Sequence, residues 1–120
     1  PYSTEQLAHL MANDSDGFNR WDASQTLSLT VLNQLMHDSL HDRPMVLDGE
    51  LVEAYRALLS DESLDSAMVA LMLQLPTEAL LHEEADTIHI AAIHDARSFL
   101  RTALAGCLAV ELEAIYERHN

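Results

Sequence analysis

Apolar residues recur along most of the chain at the three- and four-residue spacings of an amphipathic helix. The clearest set occupies positions i, i+3, i+4, i+7 and i+8, and it predicts one buried helical stripe formed by Leu51, Ala54, Tyr55, Leu58 and Leu59. Strand-type alternation is scarce, and only three Gly and three Pro interrupt the pattern. The sequence therefore predicts an all-α fold of about five helices.

Residues that favour helix N-termini precede the predicted helices, at Ser3 with Gln6 as a capping box, at Asp48 or Gly49, at Asp65 and at Asp86. The predicted helices are a short one ending near Ala12, a long one from about Phe18 to Leu40, and a third that ends at the polar break 60–63. A fourth follows from Ala67 to about Gln74, and the last runs from Thr87 to about Glu117. Turn residues at 13–17 separate the first two, Pro44 and Pro76 stop the helices before them, and Thr77 starts a short helical turn.

The last predicted helix is apolar around much of its circumference, at Ile88, Ile90, Ile93, Phe99, Leu100, Leu104, Leu108, Leu112, Ile115 and Tyr116. Such a helix needs neighbours on several sides, so we expect either a central element or one that further helices cover. Short connections favour antiparallel neighbours, as in a helix bundle or at the start of an α-superhelix of paired helices. No fixed-period sequence repeat is evident, which does not support a regular repeat array.

The charge is strongly acidic, with 20 Asp and Glu against six basic residues and a net charge of −14. This balance disfavours nucleic acid and anionic membrane as partners, because both are polyanions. Solubility is the simpler explanation for the charge, and attraction of cationic peptides is the alternative. The single cysteine, Cys107, lies in an apolar run, which predicts a buried, unreactive thiol and a cytoplasmic location.

Four segments resemble a known family in the same order along the chain. Segment 18–27 reads F-N-R-W-D-A-S-Q-T-L, segment 54–62 reads A-Y-R-A-L-L-S-D-E, and segment 73–76 reads L-Q-L-P. The last helix contributes Arg97, Leu100, Thr102, Leu104 and the run A-I-Y at 114–116. Together they are similar to bacterial aminopeptidase N, a zinc metallopeptidase of the alanyl aminopeptidase type.

The resemblance implies that residues 1–120 are a single domain fragment from the beginning of that family's C-terminal helical domain. In the family this domain is a superhelix of paired helices that encloses the cavity where peptides reach the zinc. The chemistry is removal of an N-terminal amino acid by a zinc-activated water. We therefore expect a cloned segment of a longer polypeptide, with the other domains of the parent enzyme and its peptide substrates as partners.

The zinc motif of such enzymes, H-E-x-x-H with a more distant Glu, cannot be placed on this chain. The segment beginning at His82 continues Glu83-Glu84-Ala85-Asp86 and lacks the second histidine. His37 and His41 have the correct spacing, but Asp38 replaces the Glu and Ser60 occupies the third-ligand position. The substrate-anchoring G-x-M-E-N motif is also absent. We expect no catalytic, cofactor-binding or metal residue here, and no activity from the chain alone.

Other candidate residues have simpler structural interpretations. His37 and His41 near a helix C-terminus are interpreted as solvent-facing, with weak adventitious metal binding as the alternative. His82 is assigned to a solvated loop, and the five-residue spacing of His89 and His94 makes a shared ligand improbable. Trp21 is predicted to be a core residue flanked by surface ion pairs of Arg20 and Asp22, with a cavity-lining role as the alternative. Met36, Met45, Met68 and Met72 are assigned to core filling, with a peptide-binding groove as the alternative. Ser24, Ser28 and Thr30 are assigned no nucleophilic role.

Three functional hypotheses follow, and the third is a metal-binding protein that uses His37 and His41. The first is a structural, substrate-enclosing segment of a zinc aminopeptidase. The second is a free-standing acidic helical module that docks a partner through its apolar last helix. If the chain is a segment of a longer protein, the apolar surface that its last helix leaves for later helices predicts self-association of the isolated chain.

Overall fold

Six helices form the part of the chain that the computed structural model describes, which comprises residues 2–76 and 90–118. They are α1 (Thr4–Asn13), α2 (Gly17–Leu40), α3 (Gly49–Leu59), α4 (Ser66–Met72), α5 (Ile90–Cys107) and α6 (Ala109–Arg118). No strand occurs within these two ranges, and the all-α prediction is confirmed. The predicted turn at Thr77, the cap at Asp86 and the first residues of the last helix lie outside the described residues.

Side-chain caps define the starts of the first four helices. Ser3 and Gln6 form the predicted capping box, since the Ser3 amide donates to Gln6 Oε1 at 2.8 Å and the Gln6 amide donates to Ser3 Oγ at 3.1 Å. Asp48 accepts from the Leu51 amide, and Asp65 accepts from the Met68 amide, as the sequence predicts. The sequence did not assign the cap of α2, which is Asp16 through the amide of Phe18. These bonds satisfy amides that have no partner within the helix.

The end of α2 is a Schellman motif that contains an aspartate instead of the usual glycine. Asp42 has a φ of 55°, the left-handed conformation. The Arg43 amide donates to the Asp38 carbonyl at 2.8 Å, and the Asp42 amide donates to the Ser39 carbonyl at 3.3 Å. Pro44 follows and prevents further helix, so the predicted stop is correct and its local cause is the conformation of Asp42.

The last predicted helix is divided in the structure. α5 ends at Cys107 and α6 begins at Ala109, although Leu108 still donates to Leu104 and Leu112 to Leu108, both at 2.9 Å. The prediction of one uninterrupted helix is therefore wrong at Leu108. Gly106, a poor helix former, lies two residues before the break.

The core surrounds α2, which contacts α1, α4 and α5, while α3 contacts α1 and α6. The predicted stripe of α3 is fully buried. Met36 and Met72 are buried, and Met45 and Met68 pack against the core, so their assignment as core filling is confirmed. α5 buries one side, formed by Ala92, Ile93, Ala96, Leu100 and Leu104. Among the described residues α5 therefore packs on one side and is not a central element, and its coverage by further helices stays a prediction.

Candidate functional site

The guanidinium of Arg20 is buried and makes three hydrogen bonds. The residue is only 4% exposed. Its Nε donates to the Met11 carbonyl at 2.9 Å, and its Nη2 donates to the Ala12 carbonyl at 3.1 Å. Its Nη1 donates to Asp61 Oδ2 at 2.7 Å. The two carbonyls belong to the last turn of α1, whose carbonyl groups lack partners within the helix. Arg20 therefore joins the end of α1 to α2 and to the α3–α4 loop. We call Arg20 and its three partners, Met11, Ala12 and Asp61, the Arg20 cluster.

The loop partner of this cluster, Asp61, is held in position by Ser63. Its Oδ1 accepts from the Ser63 hydroxyl at 2.6 Å and from the Ser63 amide at 3.0 Å. The Ser63 hydroxyl, the Arg20 guanidinium and the Ser63 amide together lower the pKa of Asp61 to about 2. Asp61 is thus an oriented carboxylate at neutral pH.

The environment of Trp21 differs from the prediction in one important respect. Trp21 itself is half-buried at the edge of the core, with its ring centroid 5.5 Å from that of Phe18. Asp22 is exposed, as expected, but Arg20 is buried and its partner lies 41 residues away. The prediction that Arg20 forms a surface ion pair is therefore wrong, because packing of α1 on α2 covers this side chain.

The hydroxyl groups of α2 are bound to structural partners. Ser24 Oγ donates to the Trp21 carbonyl at 2.7 Å, and Thr30 Oγ1 donates to the Thr26 carbonyl at 3.0 Å. Ser28 Oγ lies 3.4 Å from the hydroxyl of Tyr55, which donates to the Met72 carbonyl at 3.0 Å. Burial raises the pKa of Tyr55, and the Ser28 hydroxyl acts in the opposite direction. These contacts connect α2, α3 and α4 and contain no arrangement of nucleophile and base.

His37 and His41 lie side by side on the exposed C-terminal turn of α2, with ring centroids 4.3 Å apart. The Nδ1 of His41 lies 2.8 Å from the His37 carbonyl oxygen. Asp38, between them in sequence, accepts from Gln34 and pairs with Arg43. The prediction that the two histidines face solvent is confirmed.

Of the other histidines considered as metal ligands, only His94 lies within the described residues. His82, Glu83, Glu84 and His89 lie outside the described residues, whereas His94 is exposed on α5. Among residues 2–76 and 90–118, no group of three or more His, Cys, Asp or Glu side chains is placed to hold a metal ion. Within the same ranges, no helix is both long and apolar enough to cross a lipid bilayer.

An ion pair that the sequence did not reveal fixes α6 to α3. Arg56 donates through Nη1 to Oε1 of Glu111, and it also pairs with Glu53 one turn before it. The bonds to Glu111 and Glu53 raise the pKa of Arg56. The pKa of Glu111 is lowered by its own backbone amide and by Arg56. Its other oxygen, Oε2, is buried and has no partner among the described residues.

Beside this ion pair lies an apolar groove of about 250 Å³ between the end of α4 and the helices α5 and α6. Five of the eight residues that line it are leucines, and the full set is Tyr55, Leu73, Leu75, Arg101, Leu104, Ala105, Leu108 and Leu112. Further apolar residues are exposed on the same two helices, at Ile90, Val110 and Tyr116. We call the groove together with these exposed residues the α5–α6 surface.

Cys107, the last residue of α5, is exposed, so the prediction of a buried thiol is wrong. The helical spacing itself was consistent with burial, because Cys107 follows buried Leu100 by seven residues. At this point, however, the packed neighbours of α5 end, and Leu108 enters the core instead.

Comparison with known proteins is consistent with this architecture. A family model described as domain of unknown function DUF3458_C, ARM repeats, matches residues 4–120. This chain belongs to that family. ARM repeats are helical, which agrees with the predicted superhelix of paired helices, although the sequence shows no evident fixed period.

Similar proteins agree with the resemblance noted in the sequence. Aminopeptidase N of Escherichia coli K12 is 37% identical over 115 residues, which is 96% of this chain and 13% of that protein. Aminopeptidase N of Caulobacter vibrioides is 36% identical over 99 residues, or 80% of this chain and 11% of that protein. Among solved structures, Legionella pneumophila aminopeptidase A in complex with aspartic acid matches with a TM-score of 0.79 and 29% identity, over 98% of this chain and 13% of that one. The resemblance to aminopeptidase N is confirmed, and this chain spans about one eighth of these relatives.

Proposed function

We propose that this chain is the beginning of the C-terminal helical domain of a zinc aminopeptidase and helps to enclose its peptide substrate. One observation carries the proposal: relatives named aminopeptidase N match 96% of the chain and only 13% of their own length. In this proposal the chain contributes shape, and another part of the same polypeptide holds the zinc and removes N-terminal amino acids from peptides.

The chemistry of the chain supports a structural contribution. No segment of the 120 residues contains H-E-x-x-H, whose two imidazoles and glutamate bind zinc and activate its water. The polar groups that are buried, such as Arg20 and Tyr55, bind backbone carbonyls and so hold helices together. A substrate-enclosing wall needs this kind of fixed helix packing, because a cavity keeps its shape only if its walls do.

The open α5–α6 surface supports continuation into further structure. Val110 is 77% exposed and Tyr116 is 70% exposed, both on α6, where none of residues 109–117 is fully buried. Large apolar side chains left exposed beside a fold's core can mark a contact with another protein element. In the proposed parent enzyme, that element belongs to the other domains of the polypeptide.

The decisive experiment compares this chain with the complete reading frame that contains it. Both proteins are purified and assayed on an alanyl chromogenic substrate, before and after treatment with a zinc chelator. The complete polypeptide is expected to release the N-terminal amino acid and to lose this activity on chelation, whereas the chain alone is expected to be inactive. The reading frame itself is expected to encode H-E-x-x-H and G-x-M-E-N upstream of these residues.

Two outcomes contradict the proposal. The first is turnover by the chain alone that survives chromatography and is lost on His37→Ala. The second is a reading frame whose start and stop codons bracket these residues, which favours the acidic interaction module that docks through the α5–α6 surface. That alternative has one observation in its favour, namely the exposure of Val110 and Tyr116.

The proposed location is the cytoplasm. An exposed single thiol such as Cys107 stays reduced in a compartment buffered by glutathione and is prone to oxidation outside it. Cell fractionation that finds the parent protein with periplasmic or secreted markers contradicts this assignment.

A further inference from the structure

The pair formed by His37 and His41 has geometry that the proposed function does not use. The residues are four apart on α2, so both rings project from the same side of its last turn. Both side chains are exposed, and the ring centroids are 4.3 Å apart with an angle of 45° between the planes. Two neutral imidazoles at this spacing on a helix match the paired histidines of H-x-x-x-H metal sites.

The hydrogen bond of His41 fixes which of its nitrogens is available. Nδ1 lies 2.8 Å from the His37 carbonyl oxygen, and a carbonyl can only accept, so in the neutral ring Nδ1 carries the proton. The Nε2 of His41 is then left with a free lone pair. Metal-ligating histidines usually have this arrangement, with the second nitrogen donating to a carbonyl or carboxylate.

The ring separation is close to what a shared ion requires. With metal–nitrogen bonds of about 2.0–2.1 Å and ligand angles of roughly 90–109°, two ligating imidazoles have centroids about 4.5–5.2 Å apart. The observed 4.3 Å differs from the lower value by a few tenths of an ångström, which a small side-chain rotation can supply.

We propose that His37 and His41 form a two-histidine surface site for a divalent late transition-metal ion, such as Ni²⁺, Cu²⁺ or Zn²⁺. Imidazole suits these ions and not Mg²⁺ or Ca²⁺. The described residues contain no group of three such ligands, and Oδ1 of Asp38 is engaged by Gln34 and Arg43, so we expect water in the remaining positions.

The electrostatic setting favours a cation at this place. The pair lies at the C-terminal end of a 24-residue helix, where the helix dipole is negative. The net charge of the chain is −14, which raises the local concentration of cations. A bound ion bridges residues one turn apart and therefore stabilises the last turn of α2.

The test is calorimetric titration of the 120-residue chain with Ni²⁺ at neutral pH, together with His37→Gln and His41→Gln. We expect one ion per chain at the pair, and each substitution should weaken binding at least about tenfold, because it removes one of two linked ligands. His9→Gln is the matched control. His9 is exposed on α1, and the residues four positions before and after it are Glu5 and Asn13, so it has no second histidine one turn away. It should leave the affinity unchanged, and Mg²⁺ should not bind.

A second measurement locates the ion without any substitution. Ni²⁺ is paramagnetic, so in a ¹⁵N–¹H spectrum it should broaden the amides of 37–42 before others. The proposal is overturned if both glutamine variants bind as tightly as the original chain, or if the broadening centres on another segment. It is equally overturned if binding is adventitious only, with no stoichiometric end point. If circular dichroism shows that a variant has lost helix, its weaker binding is not interpreted. The position of the broadened amides in the original chain then decides whether the ion binds at His37 and His41.

Discussion

Replacement of Arg20 by alanine is the most informative perturbation of this fold. The substitution removes three hydrogen bonds at once, to Met11 and Ala12 in α1 and to Asp61 after α3. Arg20 is 4% exposed, so water replaces these bonds poorly, and the truncated side chain leaves a void in the middle of the cluster. The substitution should therefore weaken the packing of α1, α2 and the end of α3 together.

The magnitude follows from the number and type of bonds. A hydrogen bond to a charged group contributes about 1.5–3 kcal/mol, and breaking one side of a buried ion pair costs roughly 3–5 kcal/mol. The three bonds share one side chain and are not additive, and Asp61 keeps its bonds to Ser63. We expect Arg20→Ala to lower the free energy of unfolding by about 3–4 kcal/mol, a large part of the roughly 5–15 kcal/mol typical of a domain. Arg20→Lys should cost about 1–2 kcal/mol, because an ammonium keeps the charge and cannot reach three acceptors in the fork geometry.

The assay is urea unfolding followed by circular dichroism at 222 nm. The matched control is Arg43→Ala, since Arg43 pairs with Asp38 at 3.4 Å but is 51% exposed. Such a pair contributes about 0–1 kcal/mol. If Arg20→Ala costs no more than Arg43→Ala, the Arg20 cluster does not stabilise the fold as argued. If Arg20→Ala fails to fold, the Arg20→Lys variant still measures the contribution of the guanidinium fork.

Four further predictions concern single residues or surfaces. The pKa of Asp61 is lowered to about 2 in the fold, so its carboxylate stabilises the chain above about pH 4 and this contribution is lost as the pH falls towards 2. The unfolding free energies of the original chain and Asp61→Asn should therefore converge on acidification, and a constant difference contradicts the ion pair. Cys107 should react with a thiol reagent in the native chain about as fast as in urea; protection until unfolding contradicts its exposure. Asp42→Gly should raise the free energy of unfolding by about 0.5–1 kcal/mol, because glycine adopts a φ of 55° without strain, and a loss of stability refutes this. The isolated chain should self-associate through the α5–α6 surface, and more strongly at high salt, which screens the net charge of −14. Val110→Glu should lower the mass measured by light scattering, and a compact monomer at high concentration refutes the prediction.

Features that depend on neighbours in sequence were predictable. The caps Ser3, Asp48 and Asp65 and the buried stripe of α3 follow from bonds and spacings within four residues. The absence of H-E-x-x-H is likewise visible in the sequence alone. The family resemblance, read from short segments in order, was confirmed by matches along 96% of the chain.

Features of the site that depend on distant residues were not predictable. The partner of Arg20 lies 41 residues away, and Arg56 meets Glu111 across 55 residues. One local feature indicated that Arg20 is buried. It precedes buried Ser24 and Leu27 by four and seven residues and therefore lies on the same side of α2.

The sequence by itself determined which segments of the described chain are helical and which side of most helices is apolar, because capping and periodicity act over one or two turns. Only the tertiary structure decided how far each apolar side is covered. Cys107 shows the difference, since it has the helical phase of buried Leu100 and is nevertheless exposed where the neighbours of α5 end. Arg20 shows the reverse, a charged side chain enclosed because α1 packs over it. Burial depends on where other helices lie, and spacing along one helix does not contain that information.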